Sequence, residues 1–167
     1  MVVAVALFLS GRVHTGAGEV SEWHENLDGA FRIRPPPGWT RRTTDRDGSQ
    51  IAPAVQPDNG FVSLIISSRL AGDPDPMRHL ADVVARPPAG PIRELRWLRQ
   101  ERITLATGLP AAMGEFSQVY RGARVHGWMV LQVHEARLLR AVAVVPEDGH
   151  EAYLHEVAAA LRSLEPM

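Results

Sequence analysis

Residues 108–146 read GLPAAMGEFSQVYRGARVHGWMVLQVHEARLLRAVAVVP. Two-residue turn signals, Arg121-Gly122 and Glu135-Ala136, divide this stretch into apolar-rich segments of strand length. With the preceding ITLAT it reads as three consecutive strands over 103–120, 125–135 and 137–145. The first is expected to break at Pro110, because proline has no N–H to give to a ladder. In the last strand nearly every residue is apolar, which predicts helices over both of its faces. Strands joined by such short turns pair antiparallel, and this decides the fold class.

Upstream, FRIR at 31–34 reads as a short strand stopped by three prolines, with Trp39 folding back onto the sheet. Residues 41–49, RRTTDRDGS, read as a polar turn region centred on Asp47-Gly48. Residues 50–55 and 61–69 are further strands, the second rich in β-branched residues. A helix follows, with Asp75 as N-cap, Pro76 at its first position and Pro87-Pro88 as its stop. Met77, Leu80, Val83 and Val84 form its apolar stripe. A second helix closes the chain over about 147–163, with Leu154, Val157, Leu161 and Leu164 at helical spacing. Strands, helix, strands, helix, without βαβ alternation, predict an α+β fold. The expected form is an α/β/α sandwich on a mainly antiparallel sheet of about six strands.

Composition sets outer limits on function. The chain has 167 residues with 45% hydrophobic content, enough for one domain with its own core. Residues 30–167 are expected to form that domain, behind a connector at 18–29. A net charge of −1 gives no global field for nucleic acid, so none is expected as a partner. The absence of cysteine removes disulfide frameworks, thiolate zinc sites and cysteine nucleophiles. No lysine occurs, which removes Schiff-base and Walker lysine chemistry. Residues 2–9, VVAVALFL, have the length of a signal-peptide apolar region and are too short to span a bilayer. Cleavage after Ala17 would fit, although no basic residue precedes the run, and a buried first strand is the competing reading.

The stretch HEAYLHE at 150–156 resembles a zinc protease signature only superficially. Zincin ligands stand at i and i+4, about 40° apart around a helix, whereas His150 and His155 are separated by about 140°. His150 is read instead as a partly buried, hydrogen-bonded residue at a helix start, and Glu151 with His155 as a surface pair. His126 and His134 share a strand face but stand about 27 Å apart, so they form no joint site. Ser63, Ser67, Ser68 and Ser117 lack a nucleophile elbow. No catalytic, cofactor or metal residues are expected; a hydrolase with dispersed residues is the enzymatic alternative. Trp39 and Trp128 read as packing anchors.

One basic stretch stands out. IRELRWLRQERI places Arg93, Arg96, Arg99 and Arg102 three residues apart, with Trp97 between them. On a helix these five would make a surface for an anion or a protein partner. On a strand they alternate faces and the surface dissolves, and Glu94 and Glu101 dilute it in either case. A solvated, salt-bridged connector is the favoured reading.

Taken in order, FRIRPPPGW, FVSLIISSR, a short helix, the stretch at 108–146 and the closing ALRSLEP resemble the PsbP, Mog and DcrB superfamily over residues 31–166. The resemblance implies an α/β/α sandwich and a mostly non-enzymatic function. Its branches include extrinsic subunits of photosystem II, a Ran-binding protein, bacterial envelope proteins and chaperones for type VI secretion effectors. It carries over no cofactor, metal or partner residue. The expectation is therefore an envelope-associated, periplasmic or secreted binding protein, monomer or homodimer, close to a membrane through its N-terminal segment. A cytoplasmic chaperone or adaptor of the same fold is the alternative.

Overall fold

Residues 108–146 contain the three antiparallel strands that their turn signals predict, in a computed structural model that describes residues 22–45 and 48–167. The apolar run at 2–9, the cleavage position and Asp47 of the predicted turn lie outside the described residues. In chain order the elements begin with β1 (His24–Asn26), β2 (Phe31–Ile33), β3 (Trp39–Asp45), β4 (Gly48–Pro53) and β5 (Ser63–Leu70). Then come α1 (Pro76–Ala85), β6 (Ile92–Thr104), β7 (Pro110–Tyr120), β8 (Ala123–His134) and β9 (Arg137–Pro146). The chain closes with α2 (Glu151–Arg162) and β10 (Glu165–Pro166). A seven-stranded sheet runs β3-β4-β5-β9-β8-β7-β6, antiparallel throughout. β1, β2 and β10 form a small sheet of their own.

The large sheet has seven strands rather than about six: the strand expected at 31–34 lies in the small sheet, and two stretches not expected as strands join the large one, the first being the arginine-rich stretch, which is a strand and not a connector. Arginines at every third position suggested helical spacing, but pairing with β7 along 13 residues overrides that local signal. Register shifts between Arg93 and Arg96 and between Trp97 and Arg99 bend β6. Together with its exposed charges they make this outer edge a poor template for further strands. The region read as a polar turn likewise supplies β3, the opposite edge.

Both faces of the sheet are covered, but unequally. α2 and the small sheet close one face over Phe31, Ile33, Leu64, Trp128, Leu139 and Leu161. The other face receives α1, which lies over β6, β7 and β8. Asp75 caps α1 by accepting from the Met77 N–H at 3.0 Å, and Pro76 opens its first turn, as predicted. Arg86 then turns extended before Pro87, since a residue preceding proline is pushed out of the helical region. α1 packs mainly on β6, β7 and β8, so the expectation that helices cover both faces of β9 holds only in part, although Leu138 and Val144 are buried on the α1 side. Arg140 is exposed and Val142 only half-buried on the α1 side.

Two glycines set how closely α1 approaches. A Cβ on Gly114 would lie 2.6 Å from the Trp97 ring and 3.0 Å from Leu80 Cδ1. A Cβ on Gly127 would lie 2.3 Å from the Phe116 ring, its cross-strand partner. Trp97 and Phe116 meet edge to face at 5.3 Å, filling the space those missing side chains leave under Leu80.

The C-terminus fastens the small sheet. Ser163 Oγ accepts from the Arg34 N–H at 2.8 Å, and Arg32 grips Glu165 with two bonds of 3.0 Å. Leu164 is fully buried between them in sequence. The hairpins of the deciding stretch are two-residue loops with positive φ at both positions: Arg121 and Gly122, then Glu135 and Ala136.

Gly127→Val is expected to destabilise the fold by about 1–3 kcal/mol in chemical unfolding, because Phe116 must leave its seat. Ala136→Gly is expected to stabilise it by about 0.5–1 kcal/mol, since Ala136 is held at a φ of 62° that disfavours a Cβ.

Candidate functional site

The register of β6, β7 and β8 brings charged residues together on the α2 side. Arg99 lies opposite Glu115, Glu115 opposite Trp128, and Ser117 opposite His126. His126, whose side chain is only 5% exposed, donates from Nε2 to Glu115 Oε1 at 2.7 Å. Its Nδ1 faces Glu147 Oε2 at 3.5 Å, too long for a good hydrogen bond. His150 stacks on the same ring, with centroids 4.1 Å apart and planes within 9°. Its Nδ1 donates to the Glu147 carbonyl at 2.9 Å, as a hydrogen-bonded helix-start histidine should. Trp128 closes the cluster with its ring centroid 4.8 Å from that of His126. Donation from His126 holds the Glu115 carboxyl below its usual range against the opposing effect of burial, and His150 and Arg99 add to it.

This arrangement favours bracing over catalysis. Each ring nitrogen of His126 is directed at a carboxylate, so neither is turned to draw a proton from Ser117. The stacked rings of His126 and His150 hold their in-plane lone pairs in parallel layers rather than converging on one point. Among the described residues no group of three His, Asp or Glu side chains is placed to hold a metal ion.

The arginines weighed as a possible partner or anion surface are divided between two faces. Arg102 bonds Asp75 Oδ2 at 3.0 Å on the α1 side, where Trp97 also packs. Arg99 bonds Glu101 Oε2 at 2.6 Å on the α2 side. Arg93 turns back to the carbonyls of Gly90 and Ile92, both at 2.9 Å, and Arg96 is exposed. Alternation separates Arg99 from Arg102, and the register shift between Trp97 and Arg99 leaves Trp97 on the side of Arg102. His126 and His134 stand apart as expected, but the meeting of His126 with His150 was not legible. Sequence places one on a strand and the other on a helix, with nothing to show that the helix begins above that strand.

The uncovered part of the sheet is the second feature. On the α1 side, beyond the reach of α1, Ile65 pairs with Val142 and Ser67 with Arg140 across β5 and β9. Ile65 is 43% exposed. Arg140 Nε donates to Ser67 Oγ at 3.2 Å, and Gln50 Nε2 to Ser63 Oγ at 3.1 Å. At the foot of the sheet a small hollow lies between the β8–β9 turn and the C-terminus, lined by residues that include Ala30, His134, Arg137 and Met167.

Acid sensitivity follows from Glu115. Its folded pKa lies below its unfolded one, so its contribution is present above the ordinary glutamate range and is lost as pH falls through the folded value. Glu115→Gln is expected to cost about 1–3 kcal/mol at neutral pH and to flatten the acid limb of a thermal-stability profile. An unchanged acid limb would show that the pair contributes nothing to acid sensitivity.

By sequence, no protein-family model and no curated protein matches the chain. By structure, PsbP of the cyanobacterium Synechocystis matches with a TM-score of 0.62 at 11% identity, over 93% of this chain and 98% of that one. The Ran-binding protein Mog1p of Saccharomyces cerevisiae matches with a TM-score of 0.58 at 14% identity, over 87% of this chain and 94% of that one. LpqN of Mycobacterium tuberculosis, involved in cell envelope biogenesis, matches with a TM-score of 0.56 at 16% identity, over 80% and 81%. A longer protein of Bacteroides thetaiotaomicron matches with a TM-score of 0.61 at 12% identity; 88% of this chain is covered, and it spans only 48% of that protein. Seven antiparallel strands, a small accessory sheet and a helix on each face thus give this chain the PsbP/Mog-like α/β sandwich fold.

Proposed function

We infer that this chain is a non-enzymatic binding or accessory domain that works through the surface of its sheet. The observation that carries the reading is the half-covered face: α1 shields β6 to β8 and leaves Ile65, Ser67, Arg140 and Val142 facing outward. An antiparallel sheet whose face is both apolar and charged is a surface suited to another molecule. The polar cluster around His126 supports the same reading, because its hydrogen bonds brace β7 against β8 and the start of α2, which the His126–His150 stack holds on the sheet. Among proteins of this fold, Mog1p is Ran-binding, which makes protein recognition a reasonable use of the scaffold.

The proposed place of action is the cell envelope or the exterior. The apolar run at 2–9 supports export, and LpqN offers a precedent for envelope work on this fold. No helix among the described residues is long and apolar enough to cross a membrane. Residues 18–29 would then connect the exported start to the folded domain, although His24–Asn26 already contributes β1.

Fractionation of the native host with mass spectrometry of the protein's N-terminus tests the location. A mature chain beginning near Gly18 in the envelope or medium is expected. An intact chain in the cytosol would overturn the envelope assignment and make a cytoplasmic adaptor the better account. Binding is tested separately, by photo-cross-linking the full chain in the host, and failure to capture any partner from any face would overturn it.

A further inference from the structure

We propose that the open part of the sheet around Arg69 and Arg140 is a docking surface for an acidic polypeptide segment that also presents an apolar side chain to Ile65 and Val142. This rests on the binding function inferred above and names the chemistry of the partner.

The two guanidinium groups come from neighbouring strands. Ser67 pairs with Arg140 and Arg69 with Leu138, so Arg69 and Arg140 are diagonal neighbours on one face. Both are exposed, and neither has a carboxylate partner among the described residues. Other described arginines also lack a carboxylate, but Arg69 and Arg140 stand together on one face, whereas Arg32, Arg78, Arg99, Arg102 and Arg124 each have one.

Arg140 is exposed, yet enough protein surrounds it for burial to lower its pKa, and the charge of Arg69 pushes the same way. Its one hydrogen bond is to a neutral hydroxyl, Ser67 Oγ. Two like charges held side by side with no counter-charge are unfavourable until an anion arrives. A carboxylate suits them because a planar guanidinium can offer it two N–H groups at once.

The apolar contribution selects a polypeptide over a bare anion. Ile65 and Val142 face each other across the same two strands, two residues along from Ser67 and Arg140. An extended segment advances about 3.3 Å per residue, so side chains two apart on one of its faces match this spacing. Acidic and apolar side chains at alternate positions of that face would meet the arginines and Ile65 together. The net charge of −1 disfavours a nucleic-acid strand here.

The test uses isotope-labelled full-length protein and a short synthetic peptide in which Glu and Leu alternate on one face. Control peptides replace Glu with Lys, or Leu with Gly. Binding should shift the Nε–H signals of Arg69 and Arg140 and the methyl signals of Ile65 and Val142, and only for the Glu–Leu peptide. Arg140→Glu is expected to weaken it about tenfold or more. Arg69→Glu should do the same, and serves if the first variant does not fold. Equal binding of the Lys or Gly peptide, or of inorganic phosphate, would overturn the proposal, as would shifts on another face.

A second arm distinguishes this surface from the broader function. Photo-reactive residues are placed at Ser67, on the open face, and at Leu98, exposed on the β6 edge, in the full chain in its host. Capture at Ser67 of a segment that mass spectrometry identifies as acidic supports the surface. Capture only at Leu98 keeps the binding function and overturns this face. Cross-links at Ser67 to a second copy, or to residues of the same chain, also overturn it.

Discussion

Trp97 and Phe116 pack edge to face on two glycines, and much of the architecture follows from that contact. Gly114 and Gly127 leave room beside the sheet that the two rings fill, and Leu80 of α1 closes over them. The contact requires Trp97 to point toward α1, and the register shift between Trp97 and Arg99 then turns Arg99 to the other side. It also fixes where α1 rests. With the helix drawn mainly over β6, β7 and β8, the part of this face around Ile65, Arg69 and Arg140 stays exposed. An aromatic pair seated on glycine thus determines both a covered surface and an exposed one.

On the opposite face, charge is used to connect elements. His126 joins β8 to Glu115 of β7 and faces Glu147 in the turn before α2, while His150 stacks on it from the start of that helix. At the other end, Arg32 and Glu165 tie β2 to β10 just after Leu164 enters the core. Both ends of α2 are therefore fastened by polar contacts, with Leu154, Val157 and Leu161 buried between them. The apolar stripe supplies most of the burial. The polar ends make the helix position specific.

Legibility in the sequence varied with the range of the interaction involved. The hairpins at 121–122 and 135–136, the Asp75-Pro76 start of α1 and the stripe of α2 depend on neighbours a few residues away, and each was readable. The strand nature of 92–102 was not, because charges at every third position mask the inward Trp97 until β7 supplies a partner. Nor was the division of Arg93, Arg96, Arg99 and Arg102, which follows from that strand's alternation and bulges. Arg69 and Arg140 are 71 residues apart in a chain where neither marks a motif, and only the β5–β9 pairing makes them neighbours.

By itself the sequence determined the antiparallel, two-helix character of the fold, because turn residues, caps and apolar periodicity act locally and need no partner to be read. It also ruled out thiol and lysine chemistry by composition alone. Tertiary structure decided the strand order β3-β4-β5-β9-β8-β7-β6, the side on which each arginine emerges and the meeting of His126 with His150. The physical reason is common to all three. Each depends on which distant segment fills the space beside a strand, and that is settled by packing whole faces against one another rather than by any residue's local preference.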